Sequence, residues 1–150
     1  MPSSKRRKPK VVLDTNVWIS AIIWGGSPAE IVKAAEEGRI CIFISEEIIS
    51  EISRTLAYPK LKRFYEDTGV SRQNLIETVL RVSRIVEVKT KIHVVREDSA
   101  DDKFLECALD GKADYLVSGD DHLLKIECHK RTRIVTVRQL LKILEKDKQS

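Results

Sequence analysis

Short apolar runs alternate with helix-length segments along this chain, and that alternation constrains the fold more than any other feature. The runs are VVL within a strand read over 10–14, CIFIS at 41–45, IVEV at 85–88, DYLVS at 114–118 and RIVTV at 133–137. Each is too short for a buried helix, and most are too continuously apolar for a strand with one wet face. The segments between them carry apolar residues at helical spacing. Strands joined through helices pair in parallel, because a parallel connection needs a long crossover. The expected fold is therefore α/β: a three-layer sandwich with a central five-stranded parallel sheet. At 150 residues and 42% hydrophobic content, the chain can bury one sizeable core.

Local signals place the helices. Residues 17–24 and 28–37 read as two helices broken by GGSP, with Ser27 as cap and Pro28 at the first helical position. Gly38 should stop the second. Ser45 should cap a third helix, with Glu46 and Glu47 in its first turn and Ile48, Ile49, Ile52 and Leu56 as its buried stripe. That helix should end near Pro59. Residues 60–66 read as a short helical piece and 71–84 as a longer helix capped by Ser71. Ser99 should open another, with Phe104, Leu105, Ala108 and Leu109 on one face and Gly111 at its end, and 138–146 should close the chain.

The formal charge of +4 is unevenly distributed. Residues 1–10 hold Lys5, Arg6, Arg7, Lys8 and Lys10 and no acid, which leaves 22 basic against 23 acidic residues in the remainder. Residues 1–9 are expected to form a disordered basic tail ahead of a domain spanning 10–147. Such a tail can meet nucleic-acid phosphates or simply stay solvated. No apolar run approaches the roughly 18 residues that cross a bilayer, and the basic N-terminus lacks the apolar region of a signal peptide. Cys41, Cys107 and Cys128 are odd in number and far apart, which favours reduced thiols and a cytoplasmic protein. His122, Cys128 and His129 match no common zinc spacing.

The acids carry the functional signal. Asp14 ends the first strand in LDTN, Glu51 lies within the third helix, Asp98, Asp101 and Asp102 cluster before FLECAL, and Asp120 and Asp121 follow the fourth strand. Each has a local role available: Asp14 and Asn16 as caps, Glu51 paired with Arg54 or Thr55, Asp102 in a capping box with Ser99, and Asp120 as a turn and cap residue. The set says more than its members. In a parallel sheet with strands one and four central, Asp14 and Asp120 emerge side by side at the carboxyl edge, where such sheets place their sites. Carboxylates converging there repel one another unless a hard cation such as Mg²⁺ or Mn²⁺ neutralises them. Such ions activate water and stabilise a phosphodiester leaving oxygen. No histidine is placed as a base, and neither a nucleophile elbow nor a phosphate-binding glycine loop is present.

In their order, LDTN, SEEIISEISRTL, DSADDKFLECAL and ADYLVSGDDHLL resemble the PIN domain family, and more narrowly the toxin components of toxin–antitoxin systems related to the VapC-type ribonucleases. The resemblance runs from residue 10 to about 142. It implies that Asp14, Glu51, Asp102 and Asp120 are the catalytic metal-binding acids. The spacing of 18 between Asp102 and Asp120 favours Asp102 over Asp101. It implies supporting roles for Thr15, Asn16, Asp101, Ser118 and Asp121, with Ser118 standing where threonine is more usual. The expected activity is Mg²⁺- or Mn²⁺-dependent cleavage of RNA. The expected partners are an RNA substrate, a small antitoxin protein that occupies the groove, and a second copy in a homodimer. The competing expectation is a PIN-like module that binds RNA or protein without turnover. A phosphohydrolase with an aspartate nucleophile is disfavoured, because that chemistry wants a second acid two residues after Asp14 and the chain has Asn16.

Overall fold

A computed structural model describes residues 7–92 and 101–149, with side chains through 147. Asp98 and Ser99, and with them the expected cap and capping box, lie outside the described residues, as do residues 1–6 of the basic tail.

The chain is α/β, with helices flanking a mostly parallel sheet. Strands β1 (Lys10–Leu13), β2 (Cys41–Ile44), β3 (Ser83–Ile85), β4 (Tyr115–Val117), β5 (Cys128–His129) and β6 (Thr132–Val135) are ordered β3-β2-β1-β4-β6-β5. Five strands were expected, and the described residues form six. The additional one is β5, two residues antiparallel to β6. It is a hairpin arm too short to leave an apolar run in the sequence. Lys130, with φ 56°, turns the chain between its two arms.

Strand β1 is central. It pairs in parallel with β2, Val12 opposite Phe43, and with β4, Leu13 opposite Val117. Val11, Val12, Leu13, Ile44, Leu116 and Val117 are fully buried, as expected of strands covered on both faces. Strand β3 begins and ends earlier than the 85–88 run suggested. It is an edge strand whose Ile85 is 56% exposed, so the apolar run does not mark a buried segment. The Val86 N–H still donates to the Ile44 carbonyl at 2.8 Å. Beyond it the chain is tied down by Asp110, which accepts from the Lys89 and Thr90 amides and the Thr90 hydroxyl.

Helix α1 (Thr15–Ile19) runs into a wider π-helical turn, Ser20–Trp24, closed by the Gly25 N–H on the Ser20 carbonyl. Helix α2 (Gly26–Glu36) starts two residues before its expected first position, because Gly25 at φ 81° reverses the chain at once and no side chain caps the helix. Pro28 then sits in the first turn, where its missing N–H has no intrahelical role. Helix α3 (Glu46–Leu56) is capped by Ser45 Oγ accepting from Ile48 N, and Ile48, Ile52 and Leu56 are fully buried. Helix α4 (Pro59–Glu66) follows, and α5 (Arg72–Val82) has the Ser71–Asn74 capping box.

Helix α6 (Asp102–Gly111) lies across β1, β2 and β4. Gly111 is its last residue, and Lys112 takes the left-handed turn at φ 55°. The glycine is needed for space: a Cβ there would come within 2.8 Å of the Phe43 ring. Helix α7 (Asp121–Leu124) is a single turn, and α8 (Val137–Gln149) packs on α2 and β4. Among the described residues no helix is long and apolar enough to cross a membrane. The cysteines are free thiols. Cys107 is buried, and burial pushes its thiol up to about 12.

Candidate active site

The register of β1 against β4 sets the site. Because Leu13 pairs with Val117, the next residues, Asp14 and Ser118, leave the sheet side by side, and Asp14 N donates to the Val117 carbonyl at 3.0 Å. Asp14 is buried. Its Oδ1 accepts from Val17 N at 2.9 Å, which caps α1, and its Oδ2 accepts from the Ser118 hydroxyl. The capping role read from the sequence is therefore real, and it leaves the carboxylate facing a cleft. Burial, joined by the nearby Asp120 charge, raises the Asp14 carboxyl above the usual aspartate range, although the Ser118, Val17 and Gly119 hydrogen bonds oppose the rise.

Ser118 links two acids. Its Oγ donates to Asp14 and accepts from Asp120 N at 2.9 Å. Asp120 in turn caps α7, with Oδ1 accepting from His122 N at 2.8 Å, and the His122 ring nitrogen lies 3.8 Å from the same oxygen. A hollow of about 510 Å³ is lined by Asp14, Asn16, Gly119, Asp120, Asp121 and His122. A smaller recess of about 100 Å³ opens beside it, and Asp14, Thr15, Asn16, Glu51, Thr55, Asp101, Phe104 and Asp120 line it.

The recess brings together three of the four acids implied by the resemblance: Asp14, Glu51 and Asp120. The fourth carboxylate lining it is Asp101. Asp102, favoured on spacing, is the first residue of α6, is 5% exposed, and is absent from the lining of either space. One residue of helix turns a side chain by about 100°, and at the mouth of α6 it is Asp101 that lines the recess. Of the supporting residues, Thr15, Asn16 and Asp101 line the recess, Asp121 lines the larger hollow, and Ser118 lies beneath both as the link between Asp14 and Asp120.

Lys103 went unnoticed in the sequence. Lys103 Nζ lies 2.6 Å from Glu51 Oε2 and 5.3 Å from the centre of the Phe104 ring, and the Thr15 hydroxyl donates to the other Glu51 oxygen. Burial disfavours the Glu51 charge, but these hydrogen bonds and the Lys103 and Arg54 charges outweigh it and hold the carboxyl below the usual glutamate range. The available signal was a single base amid acids in DSADDKF. A third hollow, of about 560 Å³, lies at the carboxyl ends of β2 and β3 and includes Glu46, Glu47, Glu106 and Lys91. Lys103 also lines it and so stands between that hollow and Glu51.

Residues 10–122 match the sequence profile of the PIN domain. The chain belongs to the PIN domain family. This PIN domain is 33% identical over 131 residues to the uncharacterized protein MJ1680 of Methanocaldococcus jannaschii, covering 84% of this chain and 80% of that one. Its fold is shared with VapBC2 from Rickettsia felis, solved bound to a DNA fragment from the promoter of those proteins. The TM-score is 0.59 at 15% identity, over 85% of this chain and 98% of the other.

Proposed function

We propose that this PIN domain is a divalent-metal-dependent endoribonuclease, with the catalytic cleft at the carboxyl ends of β1 and β4. The observation that carries this is Asp14: a buried carboxylate, raised by burial and by Asp120, in a recess with Asp101 and Glu51. A carboxylate in that condition is relieved by a proton or a cation, and PIN domains are generally nucleases that use divalent metals. The donor set is hard oxygen throughout, which suits Mg²⁺ or Mn²⁺. Among the described residues no group of three His, Cys, Asp or Glu side chains already converges as a metal cage. Mg²⁺ does not require one, since it keeps several waters and binds through one or two carboxylates.

Asp14, Asp120 and Asp101 would hold the ion, with Glu51 at the edge of the recess. The ion would supply a hydroxide at neutral pH and a counter-charge for the phosphodiester. The protein's own groups do the rest. Ser118 fixes Asp14 and Asp120 relative to each other through one hydroxyl. Thr15 and Lys103 clamp Glu51 from both sides. Exposed Asn16 and half-buried His122 line the open hollow, where a substrate strand would lie.

The likeness to the VapBC2 complex supports an antitoxin-type protein partner, which co-expression with the product of an adjacent gene would test. The activity itself is tested by incubating RNA with the protein and Mg²⁺ or Mn²⁺. Cleavage should vanish with chelator and in Asp14→Asn. RNA binding without metal-dependent cleavage would favour a binding module, and equal cleavage by Asp14→Asn would remove Asp14 from the site.

A further inference from the structure

The chain between Glu51 and Glu66 contains no acid, yet it carries Arg54, Lys60, Lys62 and Arg63 together with Tyr58, Phe64 and Tyr65. Tyr65 is buried with its hydroxyl on the Leu56 carbonyl, so it serves the fold. Phe64 does not. It is 46% exposed on α4 and stacks against Trp24, itself 55% exposed, with ring centres 4.3 Å apart and planes tilted by 48°. Lys60 is one turn before Phe64 on the same helix face, and Arg63 flanks it. Among the described residues Lys60, Lys62 and Arg63 have no ion pair. Two joined, solvent-facing aromatic rings edged by free cations on an acid-free segment complement the bases and phosphates of a single strand.

The position fits the cleft. Asp14 begins, and Trp24 ends, one continuous helical path, a rise on the order of 15 Å. On the other side, Thr55 lines the acidic recess, and its carbonyl accepts from the Tyr58 amide just before α4. We propose that the Trp24–Phe64 pair, with Lys60 and Arg63, is a stacking platform for the bases of single-stranded RNA, holding the strand whose phosphodiester lies in the acidic cleft. This rests on the endoribonuclease assignment above and adds a substrate-positioning surface outside the carboxylate site.

Binding should be measured without divalent metal on the Asp14→Asn protein, so that cleavage plays no part. The probe is a labelled 12-nucleotide RNA of mixed sequence. Trp24 also provides an intrinsic signal, because the other tryptophan, Trp18, is fully buried. The strand should quench Trp24 emission. Trp24→Ala and Phe64→Ala should each weaken binding about tenfold, whereas Trp24→Phe should retain most of it. Lys60→Gln and Arg63→Gln should each lower the salt dependence of binding by about one phosphate contact. Unchanged affinity in both alanine variants would overturn the platform, as would equal affinity for a duplex of the same length. A dimer that Trp24→Ala converts to monomer with RNA affinity intact would also overturn it and make the patch an interface between copies. Loss of metal-dependent cleavage in the parent protein would sink the catalytic assignment alone, since strand binding is read separately.

Discussion

Lys103 Nζ sits 2.6 Å from Glu51 Oε2, so one of the acids at the mouth of the cleft already has a cation of its own. Both side chains are largely buried, at 7% and 25% exposure, which makes the pair different in kind from a surface salt bridge. Removing Lys103 leaves Glu51 desolvated with only Thr15 and the more distant Arg54 charge in its favour. We expect Lys103→Met to destabilise the fold by about 2 kcal/mol, a figure below the usual range for fully buried pairs because Glu51 keeps some contact with water. Lys103→Met/Glu51→Gln should recover much of that loss. Urea denaturation of the parent, both single variants and the double variant gives the coupling directly, and additive effects would show that the pair does not act as a unit.

Asp14 should show the opposite relation between stability and activity. Its carboxylate is held in a site that disfavours its charge. Asparagine can still accept from Val17 N, so the cap survives the loss of charge. Asp14→Asn should therefore melt no lower than the parent while losing at least about a hundredfold in metal-dependent cleavage, a loss of the size expected when a metal ligand or an electrostatic stabiliser is removed. Thermal melting and an RNA cleavage assay on the same preparations test both halves. A lower melting temperature would mean that the negative charge, or the Ser118 hydrogen bond that an amide nitrogen cannot accept, supports the fold.

How much of this was legible in the sequence follows from which forces are local. The parallel sheet, the Ser45 and Ser71 caps and the stripe Ile48, Ile52 and Leu56 were readable, because periodicity and capping act within a few residues; Ile49, expected in that stripe, is only partly buried. The neighbourhood of Asp14 and Asp120 was readable too, since strand ends in a parallel sheet share an edge. The early start of α2 was not, because Gly25 competes with Ser27 and the tertiary path decides between them. The pairing of Lys103 with Glu51 spans 52 residues, and no local pattern encodes it. The choice between Asp101 and Asp102 depends on the rotation of α6 on the sheet, which residue spacing cannot fix.

Asp110 offers a test of how the segment after β3 is held. The hydrogen bond from the Thr90 amide, joined by those from the Lys89 amide and the Thr90 hydroxyl and by the Lys89 charge, keeps its carboxyl below the usual aspartate value of 3.8, against the opposing effect of burial. A lowered acid contributes stability above its unfolded value and loses it as the pH falls through the folded one. The amide resonances of Lys89 and Thr90 should therefore titrate together with a midpoint below 3.8. Asp110→Ala should abolish that titration and speed hydrogen exchange at both amides at neutral pH. A midpoint at or above 3.8 would mean that the three hydrogen bonds are not maintained in solution.

Asp101 and Asp102 are adjacent in sequence and should separate in function. Asp101 lines the recess with Asp14, Glu51 and Asp120, whereas Asp102 is buried at the start of α6. If the recess is the reaction site, Asp101→Asn removes a negative charge from it and leaves the helix start intact. Cleavage should fall at least about tenfold, and the Mg²⁺ concentration for half-maximal activity should rise, with little change in melting temperature. Asp102→Asn changes a buried group among fold-forming neighbours, so its main effect should be on stability, within the roughly 1–3 kcal/mol typical of a perturbed buried polar group. Its Mg²⁺ requirement should match the parent's. Metal titrations of activity at a temperature where all three proteins are folded distinguish the two positions. A raised metal requirement in Asp102→Asn, and not in Asp101→Asn, would return the third carboxylate to the position that sequence spacing favours.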